Sequence, residues 1–302
     1  MEQNKLLRAD LILELHELSL SLKQISNQDE CDKIQQYLDK FEHHDEFYTE
    51  TNLRSQEITW SKNIAKYLGY KDVCPNQSMP IYWLADFVHP VIRDWYKVYL
   101  NSAMLVFSKN KFTFLQSRFV INVPIKKQNG RYSLIKHVCM PFGIDENNKI
   151  VSFLNSYFVF GDYNGEPLKP QFFEGSEKLD WYYILMENNI LPLIRVESKF
   201  RPTRVHFRLF DSIRQVKINN QDLNFTNIAE AFYKISGITI SNHGIENVKK
   251  YLLTAKRRLE HFFQKDQENG DNEKKMFISY NSLAFFNYLD DSGILSILKR
   301  AF

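Results

Sequence analysis

Three consecutive strand-like segments in the middle of the chain restrict its possible folds more than any other feature. They read FTFLQSRFVINVPIK, RYSLIKHVCMPFGI and IVSFLNSYFVFGDY, and each is rich in the β-branched and aromatic residues that favour strands. An Asn129-Gly130 pair separates the first two segments, and the polar run DENNK separates the second from the third. Asn-Gly is a strong hairpin signal, so the sequence predicts three antiparallel strands in a row.

The segments before these strands complete an α+β unit. EFYTETN and QEITW have the pattern of two further strands. SKNIAKYLGY and a stretch of about five turns from Val91 to Ser108 have the pattern of helices. Elements in this order predict a five-stranded antiparallel sheet with helices on one face.

The chain on either side of this unit has a helical pattern. Near the N-terminus, apolar residues recur at steps of three and four and predict amphipathic helices: Leu11, Leu15, Leu18, Leu22 and Ile25. Such a stripe packs on its own domain or pairs two chains in a dimer. After Phe160, the run GDYNGEPLKPQFFEGSEK marks a domain boundary. We expect an N-terminal helical segment at 1–45, a sheet domain at 46–163, a linker and helical connector at 164–200, and an all-helical domain at 201–302.

Length, charge and cysteine spacing narrow the classes of function. A chain of 302 residues is long enough for two domains, and a net charge of +3 gives no whole-chain signal for a polyanion. Cys31, Cys74 and Cys139 stand far apart, which argues against a disulfide framework or a zinc site and favours a reducing compartment. No apolar run reaches about 18 residues, and Glu14 and Glu17 interrupt the N-terminal apolar stretch. We expect a cytoplasmic protein without a membrane segment.

The short motifs of several large enzyme classes are missing from the sequence. It contains no G-x-x-x-x-G-K-[ST], G-x-G-x-x-G, H-E-x-x-H or G-x-S-x-G. The local machinery for binding nucleotides or catalytic zinc, and for the hydrolase nucleophile, is therefore lacking. We expect no enzyme activity, no catalytic residue, no cofactor and no bound metal.

Segments of the predicted sheet domain resemble PAS domains. ITWSKNIAKYLGY resembles the PAS strand and short helix that end in L-G-Y, and WLADFVHPVIRDWYKVY resembles the His-Pro stretch ahead of a helix. The later strands resemble the hairpins that end a PAS domain. The resemblance covers about residues 46–161 and implies a sensor for a small molecule or a protein partner. Tyr67, Trp83 and Phe158 are the candidates to line its pocket.

His89 stands in this stretch between an apolar run and Pro90. A proline in the first turn of a helix loses no hydrogen bond, and the residue before it is placed to cap free amides. We therefore predict that His89 caps and packs the helix and is not a haem or metal ligand.

The segment ISNHGIENVKKYLLTAKRRL, residues 240–259, resembles the recognition-helix region of LuxR-type helix-turn-helix domains. In that pattern Ser241 caps the helix, and four residues form its inward face: Ile245, Val248, Leu252 and Leu259. NIAEAF upstream resembles the supporting helix. The pattern is degenerate, because YKISGIT places extra residues between the two helices and Gly244 stands where the family has Thr.

This resemblance implies that DNA is the partner. Basic side chains of the helix are expected to contact phosphates: Lys249, Lys250, Lys256, Arg257 and Arg258. Asn242, His243 and Asn247 near its start are expected to reach base edges. The two resemblances together predict a homodimeric transcription regulator whose PAS signal changes the spacing of two DNA-binding helices. The alternative is a PAS-type interaction module whose helical domain binds a protein partner and no DNA.

Overall fold

The computed structural model describes residues 46–62, 67–69, 79–80, 83–110, 112–113, 116–145, 149–194, 202–237, 243–263 and 281–301. These residues fall into two compact units, one ending at Leu193 and the other beginning at Ile194. We call them the sheet unit and the helical unit. The predicted N-terminal helical segment, residues 1–45, lies outside the described residues.

An eight-stranded sheet forms the sheet unit within the described part of the chain. Its strands are β1 (Glu46–Asn52), β2 (Glu57–Lys62), β3 (Met79–Pro80), β4 (Ser117–Lys126), β5 (Tyr132–Ile144), β6 (Ile150–Asp162), β7 (Gln171–Glu174) and β8 (Glu177–Lys178). They lie in the order β3-β2-β1-β6-β5-β4-β7-β8, and every neighbouring pair is antiparallel. The strands β4, β5 and β6 lie within the three segments from which the sequence predicted antiparallel strands.

The predicted five-stranded PAS-like sheet is wrong, because short strands extend the sheet at both edges. β3 pairs with β2 at one edge, and β7 and β8 continue the sheet beyond β4 at the other. These strands have only two to four residues, which is too short for a period-two pattern to be visible. In addition, β7 and β8 lie in the segment 164–200, which the sequence assigned to a linker and helical connector. The general α+β class holds.

Three helices of the sheet unit are α1 (Trp83–Asp86), α2 (Pro90–Lys109) and α3 (Asp180–Ile190), and a 3-10 turn (Leu191–Leu193) follows the last. An aromatic cluster holds α2 on the sheet. The ring centre of Phe107 on α2 lies 6.2 Å from that of Phe153 on β6 and 5.5 Å from that of Phe172 on β7. All three side chains are almost fully buried, and burying each contributes about 1.5–3 kcal/mol.

The helix α2 begins at the His-Pro pair, as the sequence predicted. Pro90 occupies the first turn and His89 the capping position, but the His89 side chain makes no capping hydrogen bond. Its ring is buried and lies 4.7 Å from the ring centre of Tyr132. Its backbone N–H donates to the carbonyl of Pro124 over 3.1 Å. His89 is therefore a packing residue that attaches the start of α2 to the sheet.

The helical unit contains α4 (Arg204–Ile218), α5 (Phe225–Ser236), α6 (Gly244–Phe263), α7 (Ser282–Asp291) and α8 (Ile294–Ala301). The Asn224 side chain accepts from the backbone N–H of Asn227 over 2.9 Å and caps the start of α5. Gly237 ends α5 with a φ of 66°, a left-handed conformation that favours glycine. None of the helices in the described ranges is both long and apolar enough to cross a membrane.

The inward face of α6 matches the prediction at three of its four positions. Val248, Leu252 and Leu259 are fully buried, on a helix that packs against α4, α5 and α7. Ile245 is 38% exposed, so its prediction is wrong. It lies in the first turn of α6. The predicted cap, Ser241, lies outside the described residues.

Candidate functional sites

A polar stripe runs along α6 opposite its buried face. Six exposed residues form the stripe, and each lies three or four positions from another along the chain: His243, Glu246, Lys250, Leu253, Thr254 and Arg257. Because an α-helix has about 3.6 residues per turn, these side chains lie on one side of the helix. We call this set of six residues the α6 outer face.

Lys250 and Arg257 are the predicted phosphate contacts that the outer face contains. Both are exposed, and neither forms an ion pair with any residue in the described ranges. Lys249 lies beside this face. Its ammonium group is 2.7 Å from the Glu246 carboxylate and 5.5 Å from the ring centre of Phe225. An exposed pair of this kind contributes only about 0–1 kcal/mol, so the Lys249 charge stays available to another anion.

Two other predicted phosphate contacts are turned toward the protein. Lys256 is 8% exposed, and its ammonium group lies 5.9 Å from the ring centre of Phe285. Arg258 is half-buried. Burial, helped by the charge of Arg258, lowers the pKa of His206 on α4 to about 4. Packing therefore removes Lys256 from the set that can reach a phosphate, and it directs Arg258 toward α4.

The predicted base-reading residues lie at the N-terminal end of α6. His243 is exposed and Asn247 is half-buried. The backbone N–H of Asn247 donates to the carbonyl of His243 over 2.9 Å, so the two side chains lie one turn apart on the same side. Asn242 lies outside the described residues.

The sequence pattern also contains a second basic stripe, on α4. Arg201, the first residue of the predicted stripe, lies outside the described residues. The other three carry no ion pair in the described part of the chain: Arg204, Arg208 and Arg214. Lys217 at the end of α4 differs, because its ammonium group donates to Asp290 over 3.0 Å and to Asp291 over 2.6 Å. That contact joins the C-terminal ends of α4 and α7.

A chain of hydrogen bonds crosses the interior of the sheet unit between α2 and the sheet. The Asn155 amide donates to the Thr51 hydroxyl over 2.9 Å, which leaves the Asn155 Oδ1 as an acceptor. His137 Nε2 lies 2.9 Å from that oxygen, and His137 Nδ1 lies 3.0 Å from the Tyr96 hydroxyl. His137 Nε2–H therefore donates to Asn155, and Nδ1 accepts from Tyr96.

Burial keeps this chain uncharged. Desolvation lowers the pKa of His137 to about 4, against the opposite effect of its hydrogen bond to Asn155. Desolvation also raises the pKa of Tyr96 and of Tyr157 above the ordinary value. The His137 ring stacks on Tyr157 at 4.5 Å, and Tyr157 stacks on Phe47 at 4.6 Å between ring centres. The result is a buried, neutral, partly polar wall.

A small cavity lies against this wall. Residues that line it include Thr51, Tyr96, Asn101, Met104, Asn155 and Tyr157. The volume open to the centre of a water molecule is about 20 Å³, which is enough for one water. A larger guest requires the lining to move, and Met104 is the most adaptable of these side chains.

The sequence-predicted pocket residues lie elsewhere. Tyr67 stacks on Phe47 with ring centres 6.2 Å apart, and Trp83 meets Phe87 edge-on at 4.8 Å. Phe158 is half-buried on β6, and its strand neighbour is Tyr157. None of the three lines the cavity. Sequence reasoning missed His137 and Asn155, although a polar residue among the apolar neighbours of a strand is a visible signal.

Comparison with known proteins adds little to this description. No family model and no curated protein matches the sequence. Among solved structures, the phage VqmA-DPO complex is similar at a TM-score of 0.31 and 10% identity, over 89% of this chain and 93% of that chain. A TM-score of this size does not establish a common fold. No group of three or more potential metal ligands occurs among the residues that the structure describes.

Proposed function

We propose that this protein is a transcription regulator that binds duplex DNA through α6, in the manner of a LuxR-type helix-turn-helix. The α6 outer face carries the proposal, because it presents Lys250 and Arg257 without an ion pair to any residue that the structure describes. A cation that its own protein leaves unneutralised is suited to a phosphate, since binding releases the counterions of the DNA.

The dimensions of α6 support the same interpretation. It has 20 residues, so it is about 30 Å long at about 1.5 Å per residue, and the major groove of B-DNA admits an α-helix. Its buried face packs on α4, α5 and α7, which leaves the outer face available. His243 and Asn247 are the base-reading candidates at its start, and Lys249 and Arg258 lie on its flanks.

The dependence of DNA affinity on salt tests this proposal. The full chain is titrated with a duplex of mixed sequence between about 50 and 200 mM salt, beside a variant that carries Lys250→Gln and Arg257→Gln. Each lost phosphate contact reduces the slope of log affinity against log salt by about 0.9, so we expect a reduction of about 1.8. Lys178→Gln on β8 removes the same kind of charge from the sheet unit and serves as the control.

Two results would reject the proposal. The first is no binding by the wild-type chain at about 50 mM salt, where phosphate contacts are strongest. The second is that the double variant binds with the same affinity and the same salt slope as the wild type. The α6 outer face would then not touch the DNA.

The sheet unit is the proposed site of the signal, and a small molecule would bind there by widening the small cavity beside Met104 and Asn155. A ligand that prefers one arrangement of the sheet unit shifts the population of that arrangement. We propose that the regulator works as a homodimer, in which this shift alters the spacing of two α6 helices. No catalytic step is part of the proposal. Native mass spectrometry of the purified full chain tests both points. A bound ligand adds its own mass to that of the chain, and a homodimer has twice the mass of one chain.

A second function is a protein-interaction module whose helical unit binds no DNA. Residues 237–243 separate α5 from α6, a longer connection than the tight turn of the helix-turn-helix pattern. Lys256 is buried, which reduces the basic surface. The salt titration separates the two functions, since only the regulator binds the mixed-sequence duplex.

A further inference from the structure

We propose that Leu253 and Thr254 form an apolar contact for the C5-methyl group of thymine in the major groove. This inference rests on the proposed function and adds the residues that read the base. Leu253 is 43% exposed at the middle of α6, about two and a half turns from its start at Gly244. The sequence pattern had placed base reading at the start of the helix, in Asn242, His243 and Asn247.

Thr254 extends the apolar surface of Leu253. Its hydroxyl donates to the backbone carbonyl of Lys250 over 2.9 Å, so the hydroxyl is used within the helix. The part of this exposed side chain that remains for a partner is the methyl group. The leucine side chain and the threonine methyl group are adjacent on the α6 outer face, and together they form one small apolar patch.

Two cations stand on either side of this patch. Lys250 lies three residues before Leu253, and Arg257 lies four residues after it, so both are its neighbours on the helix surface. Neither has an ion pair among the residues that the structure describes. A small apolar patch between two unneutralised cations fits a partner that places an apolar group between two rows of anions.

The major groove of B-DNA has this arrangement of groups. Its walls are phosphates, and thymine presents a C5-methyl group at its floor, which threonine methyl groups and other apolar side chains contact. RNA lacks the match, because uracil has no methyl group and the major groove of an RNA helix is too narrow for side chains. The patch therefore fits duplex DNA with thymine opposite Leu253.

The test removes the methyl group from the DNA and the leucine side chain from the protein. A duplex is first selected from a random 30-base-pair library by rounds of binding to the full chain. Each thymine of that duplex is then replaced by deoxyuridine, and affinity is measured for wild type, Leu253→Ala and the control Ile218→Ala. Ile218 is an exposed aliphatic side chain at the end of α4. Both exposed positions tolerate alanine, and circular dichroism checks that each variant is folded.

We expect deoxyuridine to weaken wild-type binding about fourfold at one or two positions, the equivalent of about one methyl group returned to water. Leu253→Ala should lose this sensitivity at those positions, while Ile218→Ala keeps it. If the duplex is bound and no thymine is sensitive, or if Leu253→Ala keeps the same sensitivity, the thymine contact is overturned and DNA binding stands. If no duplex is selected at all, both proposals are overturned.

Discussion

Acidification should destabilise the sheet unit through His137. The pKa of this buried imidazole is about 4 in the folded protein, against an ordinary value of about 6.5 in an unfolded chain. Between these two values the unfolded chain binds more protons than the folded protein, so the free energy of unfolding falls as the pH falls. The stabilisation is complete above about pH 6.5 and is lost progressively down to about pH 4.

The size of the effect follows from the same two pKa values. One pH unit within this window changes the free energy of unfolding by about 1.4 kcal/mol per group. A change from pH 7 to pH 5 covers about 1.5 pH units of this window, so the free energy of unfolding should fall by about 2 kcal/mol. This is a large part of the stability of an ordinary domain, which is about 5–15 kcal/mol in total.

Urea unfolding followed by tryptophan fluorescence measures the free energy of unfolding of the sheet unit. The chain has four tryptophans, at positions 60, 83, 95 and 181, and all of them precede the boundary at Leu193. The fluorescence signal therefore follows the sheet unit. His206 also has a pKa lowered to about 4, but it belongs to the helical unit, which contains no tryptophan.

The matched variant is His137→Gln, which cannot titrate and still offers a donor and an acceptor. We expect it to lose about 2 kcal/mol less than wild type between pH 7 and pH 5. The same pH dependence in both proteins would refute the reasoning. If the variant is too unstable to compare, the protonation state of His137 is measured in the wild type at pH 5 from its ¹⁵N chemical shifts. A protonated ring would contradict the buried neutral state.

Two further perturbations test the packing of each unit. Phe107→Ala should cost the sheet unit about 3–5 kcal/mol, because it opens a cavity in a buried aromatic cluster, whereas Phe160→Ala at a 62% exposed position should change stability by less than about 0.5 kcal/mol. Equal losses by urea unfolding would contradict the cluster. Lys217→Met should cost the helical unit about 1–2 kcal/mol, because Asp290 and Asp291 lose a shared partner. Since salt screens charges, the loss in thermal unfolding should shrink at high salt, and a salt-independent loss would rule out this electrostatic cause.

The sequence was sufficient to predict those features of the fold that depend on residues close together along the chain. The β-branched and aromatic runs of β4, β5 and β6 and the Asn129-Gly130 turn predict the central strands, because strand character and tight turns depend on side chains a few positions apart. In the same way, the helically spaced residues of the LuxR-like pattern predict the buried side of α6 at Val248, Leu252 and Leu259, although not at Ile245. The start of α2 at Pro90 is likewise a local consequence of the proline ring.

The sequence by itself determined the central strands, the buried side of α6 and the excess of positive charge along that helix. Only the tertiary structure decided which charges are available, since Lys256 packs over Phe285 while Lys250 stays exposed. It also decided that the sheet has eight strands and that His137 and Asn155 meet in its interior. The physical reason is that edge pairing, desolvation and buried hydrogen bonds depend on groups that are distant in sequence, and their partners are defined only when the chain is folded.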